Sequence, residues 1–196
     1  GYGVYNGIAP SHRLIHLGCW AHARRYFVEA EAILPKAARR PDQLATQFIA
    51  AIARLYAVEV KAKGKAVAER AQLREAASRP VLAEIQHMLV THRHSVTPGS
   101  LLGKALHYLE AQWPKLIRYV ENGAWPIDNN LCENAIRPFV VGRRNWLFAD
   151  TVAGANGSAN IYSLIETCKA NGVDTYRYLV ALFKALPLAK TADDYE

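Results

Sequence analysis

Cysteine is scarce in this chain: three among 196 residues, at positions 19, 132 and 168, with no Cys-x-x-Cys pair. An odd, scattered set argues against a secreted disulfide framework and suits a reducing compartment. Cys19-x-x-His22 has the spacing of two zinc ligands, but a structural zinc site takes four. No second pair stands at a suitable spacing, so no zinc is expected. Long apolar runs are missing as well. Nothing approaches the roughly 20 residues of a membrane span, and no signal-peptide pattern opens the sequence. The chain is therefore expected to be soluble and intracellular, with no membrane partner. No Gly-x-Ser-x-Gly occurs, which removes a common signature of nucleophilic hydrolases. Gly154-x-x-Gly157-Ser158 lacks the lysine that a nucleotide-binding P-loop carries just before its hydroxyl residue. That small-residue stretch reads as a flexible loop, with phosphate contact as a minor alternative. Internal repeats and low-complexity segments are absent too.

Acids are outnumbered. Seventeen Asp and Glu face 24 Lys and Arg, a formal charge of +7 and a pI near 9.4, which favours a polyanionic partner without specifying one. Nucleic acid is the natural candidate, because basic residues cluster at Arg137, Arg143 and Arg144.

Residues 12–19 are short, apolar and bounded by Pro10-Ser11, which predicts a strand. A helix follows from Trp20 to about Leu34 and stops before Pro35. Residues 41–122 have helical period throughout. Leu44, Phe48, Ile52, Leu55 and Tyr56 share one face of a long helix, and Gly64 is its expected stop. A more charged helix covers 65–78. A third starts at Pro80 and carries Leu82, Ile85, Met88 and Leu89. A fourth carries Leu101, Leu102, Ala105, Leu106, Leu109 and Trp113, and a short fifth covers 116–120 before Gly123. Further on, a helix is expected over 159–170, closed by Asn171-Gly172, and a last one, capped by Asp174, runs to about Leu186.

Chemistry is densest in Asp128-Asn129-Asn130-Leu131-Cys132-Glu133-Asn134-Ala135-Ile136-Arg137-Pro138, followed by Gly142-Arg143-Arg144-Asn145-Trp146-Leu147-Phe148. Asp128, Asn129 and Asn130 are good N-caps, so a helix should begin here with Glu133 in its first turn. Asn130-x-x-Glu133 is also the spacing of a capping box, in which the Glu carboxylate merely returns to the backbone. Asp128 is explained by capping, and Asp150 as a loop acid. Pro138 is expected to end or bend the helix, leaving 140–148 extended.

These runs resemble the C-terminal catalytic region of DDE-type bacterial insertion-sequence transposases, in the class of insertion sequence sixty-six. In that family an Asn-Asn-x-x-Glu-x-Ala-Ile-Arg-Pro run carries the last of three metal-binding acids. A Gly-Arg-(Lys/Arg)-Asn-Trp-Leu-Phe run follows it. Gly18-Cys19-Trp20-Ala21-His22-Ala23-Arg24-Arg25 and Ile161-Tyr162-Ser163-Leu164-Ile165-Glu166-Thr167-Cys168-Lys169-Ala170-Asn171-Gly172 are similar to two further family signatures, so the likeness covers nearly the whole chain. The family's second catalytic Asp stands directly before a Gly-Tyr pair, as in Asp-Gly-Tyr-x-x-Tyr. This chain opens Gly1-Tyr2-Gly3-Val4-Tyr5. The resemblance therefore implies that this Asp lies just upstream, that the first Asp lies further upstream still, and that the chain is a trimmed C-terminal portion.

The resemblance further implies a mainly α fold: a truncated ribonuclease-H-like α/β remnant with a large helical insertion. The remnant would be residues 1–34 and the insertion 35–125. The acid-bearing and C-terminal helices would occupy 126–190, with a frayed tail over 191–196. The uncovered sheet edge and apolar face of such a remnant would call for self-association. The parent would cut and join DNA at transposon ends in the bacterial cytoplasm by phosphoryl transfer, using Mg²⁺ or Mn²⁺. Such ions are hard and favour oxygen ligands, and a pair of them activates the attacking oxygen and stabilises the leaving one. Glu133 is implied as the one catalytic, metal-binding acid retained, so the isolated chain is expected to hold no ion tightly and to be inactive. DNA contacts are expected from Arg137, Arg143, Arg144, Asn145 and Trp146, which combine charge, an amide and a stacking surface, and from His22, Arg24 and Arg25. The alternative from a different class is a non-enzymatic basic helical module that binds nucleic acid or a partner protein.

Overall fold

The structure, a computed structural model, describes residues 12, 14–146 and 149–191, the side chain of residue 146 excepted. The opening Gly1–Tyr5 run, Leu147-Phe148 and the tail over 192–196 lie outside the described residues. Among those described, all regular structure is helical. The mainly α expectation holds.

Eight α-helices follow in order: α1 (Trp20–Glu31), α2 (Leu44–Ala62), α3 (Val67–Leu73), α4 (Arg79–His92), α5 (Leu101–Leu116), α6 (Asn130–Trp146), α7 (Val152–Ala170) and α8 (Thr175–Ala185). A π-helical turn, Arg74–Ser78, joins α3 to α4, and a 3₁₀ turn, Ile117–Glu121, extends α5. The chain divides after Asn130 into two compact units.

The first unit is built on apolar spacing. Phe48, Ile52 and Leu55 fall three and four apart on α2 and are fully buried, as periodicity requires of a core-facing stripe. Gly64 stops the helix with φ +77°, a conformation that costs a residue with a Cβ. Helix α1 packs against both α2 and α5. Phe27 stacks on Phe48 with ring centroids 4.5 Å apart. Trp20, fully buried, donates its indole N–H to the Leu116 carbonyl at 2.9 Å. Burying aromatics of this size stabilises by about 1.5–3 kcal/mol each, so the Trp20–Phe27 face ties α1 into the helical core.

Residues 14–19, expected to lie in a strand, have no strand partner. Their backbone is held instead by single bonds: Gly18 N–H to the Lys115 carbonyl at 2.9 Å, with Trp20 N–H just beyond them bonded to the Ile127 carbonyl at 3.2 Å. Gly18 is required here, since a Cβ would sit 2.9 Å from the Leu116 backbone nitrogen. Gly18 lies against the end of α5, while Leu14 and Ile15 are more than half exposed.

The π turn aims Arg74 inward. Only 1 % exposed, its guanidinium forms a two-bond pair with Glu59 (2.9 and 2.7 Å) and donates to the Tyr119 and Asn122 carbonyls at 2.8 and 2.9 Å. It also lies over the Tyr119 ring, 5.1 Å from the centroid. One side chain thus joins α2, the π turn and the 3₁₀ turn after α5.

Two expectations fail in the second unit. Helix α6 does not stop at Pro138 but continues to Trp146, so residues 140–146 are helical rather than extended. The proline forfeits only the bond its nitrogen would have made to the residue 134 carbonyl, and the remaining turns carry the helix past it. Residues 153–158, expected to be a loop, are the first turns of α7. Thr151 caps them, its Oγ1 accepting from Gly154 N–H at 3.0 Å, and the alanines offset the two glycines. A free anion-binding loop is therefore not present. The closing signals do hold. Gly172 has φ +68°, the Val173 N–H returns to the Cys168 carbonyl at 2.9 Å, and Asp174 caps α8 through the Arg177 N–H at 2.9 Å. Cys168 is the one buried apolar residue of this unit among those described. Leu131, Val152, Tyr176 and Leu188 are each at least three-quarters exposed.

Candidate catalytic and nucleic-acid-binding site

The start of α6 is set by Asp128. Its Oδ1 accepts from the Asn130 N–H at 3.1 Å, and its Oδ2 accepts from the Asn130 side-chain amide at 3.0 Å. The donor for which a capping box would recruit Glu133 therefore already has an acceptor. Oδ2 also accepts from the Tyr56 hydroxyl at 2.8 Å. Burial, then that hydrogen bond to a carboxylate, pushes the phenol far above its ordinary range, so Tyr56 keeps its proton and donates. Sequence reasoning found the cap but not Tyr56, which stands 72 positions away and read only as one more apolar-face residue. Cys19 and Arg24 lie close enough to act electrostatically on the same phenol. With the Trp20–Ile127 backbone bond, this brings the start of the Gly18–Arg25 signature to the residues that open the Asp128–Pro138 signature.

Along α6, Glu133, Arg137, Arg143, Arg144 and Asn145 are all exposed. At about 100° per residue, Arg137 stands about 40° and Arg144 about 20° round the helix from Glu133, with Arg143 about 80° to one side. These side chains form an acid-and-arginine stripe about 16 Å long at a rise of about 1.5 Å per residue. Arg137, Arg143 and Arg144 form no ion pair among the described residues. Cys132, Ala135 and Phe139 face the other way, roughly 100–160° round from Glu133. They meet α7, where Phe139 packs edge-on against Tyr162 with centroids 4.9 Å apart. An apolar pocket of about 290 Å³ lies there, with Glu166 among its lining residues. Packing with α7 therefore leaves the charged stripe uncovered. Arg143 and Arg144 fall in the last turn, where cations also suit the helix dipole, which is a sufficient structural reason for charge there but not for Arg137.

The remaining candidates stand on α1 in the first unit: Arg24 and Arg25 are exposed, and His22 is half-buried. Asp150 is an exposed residue just before the Thr151 cap, on the margin of an open hollow shared with Arg143 and Thr151. Among the described residues no three His, Cys, Asp or Glu side chains converge as a metal site. Asp128, committed to three hydrogen bonds, is a poor second ligand beside Glu133, so the residues described here do not by themselves make up a two-ion site.

The class of protein follows from comparison. The family model for the transposase IS66 family matches residues 1–157, and that for the IS66 C-terminal element matches 163–196. The chain belongs to the IS66 family of transposases. It is 33 % identical over 186 residues to the uncharacterized protein y4qI of Sinorhizobium fredii (strain NBRC 101917 / NGR234), covering 91 % of this chain and 33 % of that protein. It is 28 % identical to y4jD of the same organism, covering 88 % of this chain and 33 % of the relative. The chain spans about a third of the length of the curated relatives it matches. No solved structure matches it.

No helix among the described residues is long and apolar enough to cross a membrane.

Proposed function

We propose that this chain supplies the last catalytic acid and part of the DNA-binding surface of a DDE transposase, which cuts and joins DNA at transposon ends. The observation that carries the reading is the exposed stripe on α6. Glu133 lies one turn into a helix whose start is held by other groups, and Arg137 and Arg144 share its face. A carboxylate set beside guanidinium groups suits a phosphodiester: the arginines hold phosphate oxygens, while the acid offers hard oxygen to a divalent ion. Glu133 is one of three carboxylates, the other two being Asp residues upstream of this chain. Mg²⁺ or Mn²⁺ held by all three would supply the activation of the attacking oxygen and the stabilisation of the leaving one. Family membership and the one-third coverage of longer relatives support this division of the site. The largely exposed apolar side chains of the second unit are consistent with helices that finish a larger ribonuclease-H-like core or self-associate.

The DNA half of the proposal is testable on the chain itself. Replacing Arg143 and Arg144 by alanine should weaken binding to transposon-end duplex and to unrelated duplex alike. The slope of log K against log salt should flatten by about one to two units, since each phosphate contact contributes about 0.9. Fluorescence anisotropy over a salt series reads this. An unchanged slope would assign the pair to the helix terminus alone.

A further inference from the structure

We propose that Tyr56 and Asp128 form a positioning latch that holds residues 127–130, where the Glu133 helix begins, on the helical core. The inference rests on the reading of Glu133 as a metal-binding acid. The Asp128 carboxylate accepts three bonds: from the Tyr56 hydroxyl at 2.8 Å, the Asn130 amide side chain at 3.0 Å and the Asn130 N–H at 3.1 Å. Tyr56 is anchored, because it follows Ile52 and Leu55 on α2, both fully buried, and itself packs on the core they belong to. A second tie holds the adjacent backbone, Trp20 N–H to the Ile127 carbonyl at 3.2 Å, and Trp20 is fully buried. Residues 127–130 are thus gripped by a side chain from α2 and by the backbone at the start of α1.

Glu133 stands only three residues beyond Asn130, about 4.5 Å along the helix axis. A hydroxyl donating to a carboxylate is among the stronger hydrogen bonds, and it is short here. Capping alone would be served by Asp128 and Asn130. The Tyr56 bond is superfluous to a cap and makes sense as a link between the core and the residues from which the helix starts. Tyr56 does not touch reacting atoms and acts through Asp128, so it is a positioning residue. Placement matters because a shift of about 1 Å at a reacting group can cost on the order of a hundredfold in rate.

The test is Tyr56→Phe, which removes one oxygen and leaves the ring, made in the transposase that carries this chain with its upstream Asp residues. The kcat of strand cleavage should fall about tenfold, in keeping with a sub-ångström misplacement. KM for transposon-end DNA should stay unchanged, and the Mg²⁺ concentration giving half-maximal rate should rise. Asp128→Asn, which keeps one acceptor oxygen, should retain more activity than Asp128→Ala. In the 196-residue chain, Tyr56→Phe should speed hydrogen exchange at amides 130–136 without moving the main unfolding transition. Full activity with unaltered metal dependence in Tyr56→Phe, beside an inactive Glu133→Gln, would overturn the latch alone. Activity that survives Glu133→Gln would overturn the reading on which the latch rests.

Discussion

Glu133→Gln in the complete transposase is expected to lower strand cleavage and strand transfer by at least about a thousandfold. A carboxylate ligand shares in several kcal/mol of charge stabilisation at the metal ions, and each 1.36 kcal/mol is a factor of ten in rate. Glutamine keeps the size and an oxygen but loses the charge that holds the ion. Glu133 is exposed and the substitution keeps its size, so the fold and end-DNA binding should persist. The bland alternative gives the opposite pattern: a surface acid at a helix start would leave cleavage intact. Cleavage rates and melting temperature measured on the same preparations separate the two.

The largest effect on stability is expected at Arg74. Removing one partner of a buried, hydrogen-bonded ion pair leaves the other charge uncompensated, at a cost of about 3–5 kcal/mol. Arg74→Met would strand Glu59 and leave the Tyr119 and Asn122 carbonyls without this donor, since all three accept from the one guanidinium. Lysine should not rescue it, because a single ammonium lacks the planar fork that meets both Glu59 oxygens while reaching two carbonyls. Adding Glu59→Leu to Arg74→Met should recover part of the loss, as apolar replacement of both members of a buried pair is often tolerated. Urea unfolding of the three variants reads these differences. A loss below about 1 kcal/mol for Arg74→Met would mean that water reaches Glu59.

The contrast between these two residues shows what the sequence could disclose. The place of Glu133 in the first turn of α6 was legible because its signal is local: a run of capping residues and an acid at a fixed spacing. The stripe of Phe48, Ile52 and Leu55 was legible for the same reason, since helical period reports which face is buried. Arg74 was not, because residues 65–78 carry enough charge to read as a solvated helix. Its burial depends on Glu59 and on two carbonyls more than 40 positions further on. Tyr56 was hidden likewise, as its partner Asp128 is distant in sequence. The errors in the second unit have another cause. Pro138 and the glycines at 154 and 157 are genuine helix-breaking signals, yet each costs only about 1–3 kcal/mol, less than the surrounding turns and the Thr151 cap restore. The segment 14–19 has no strand partner among the described residues, and a strand whose partners lie outside them would look the same.

The most direct measurement is metal-dependent nicking of a transposon-end duplex by two proteins side by side: this 196-residue chain, and the same chain extended upstream through both Asp residues. Holding two divalent ions close together takes several carboxylates, and Mg²⁺ gives up its waters reluctantly, so one Glu is too few. With Mg²⁺ or Mn²⁺ present, the extended protein should cut and the short chain should not. Robust cleavage by the short chain, abolished by Glu133→Gln, would contradict the account by showing that all the catalytic acids lie within these residues.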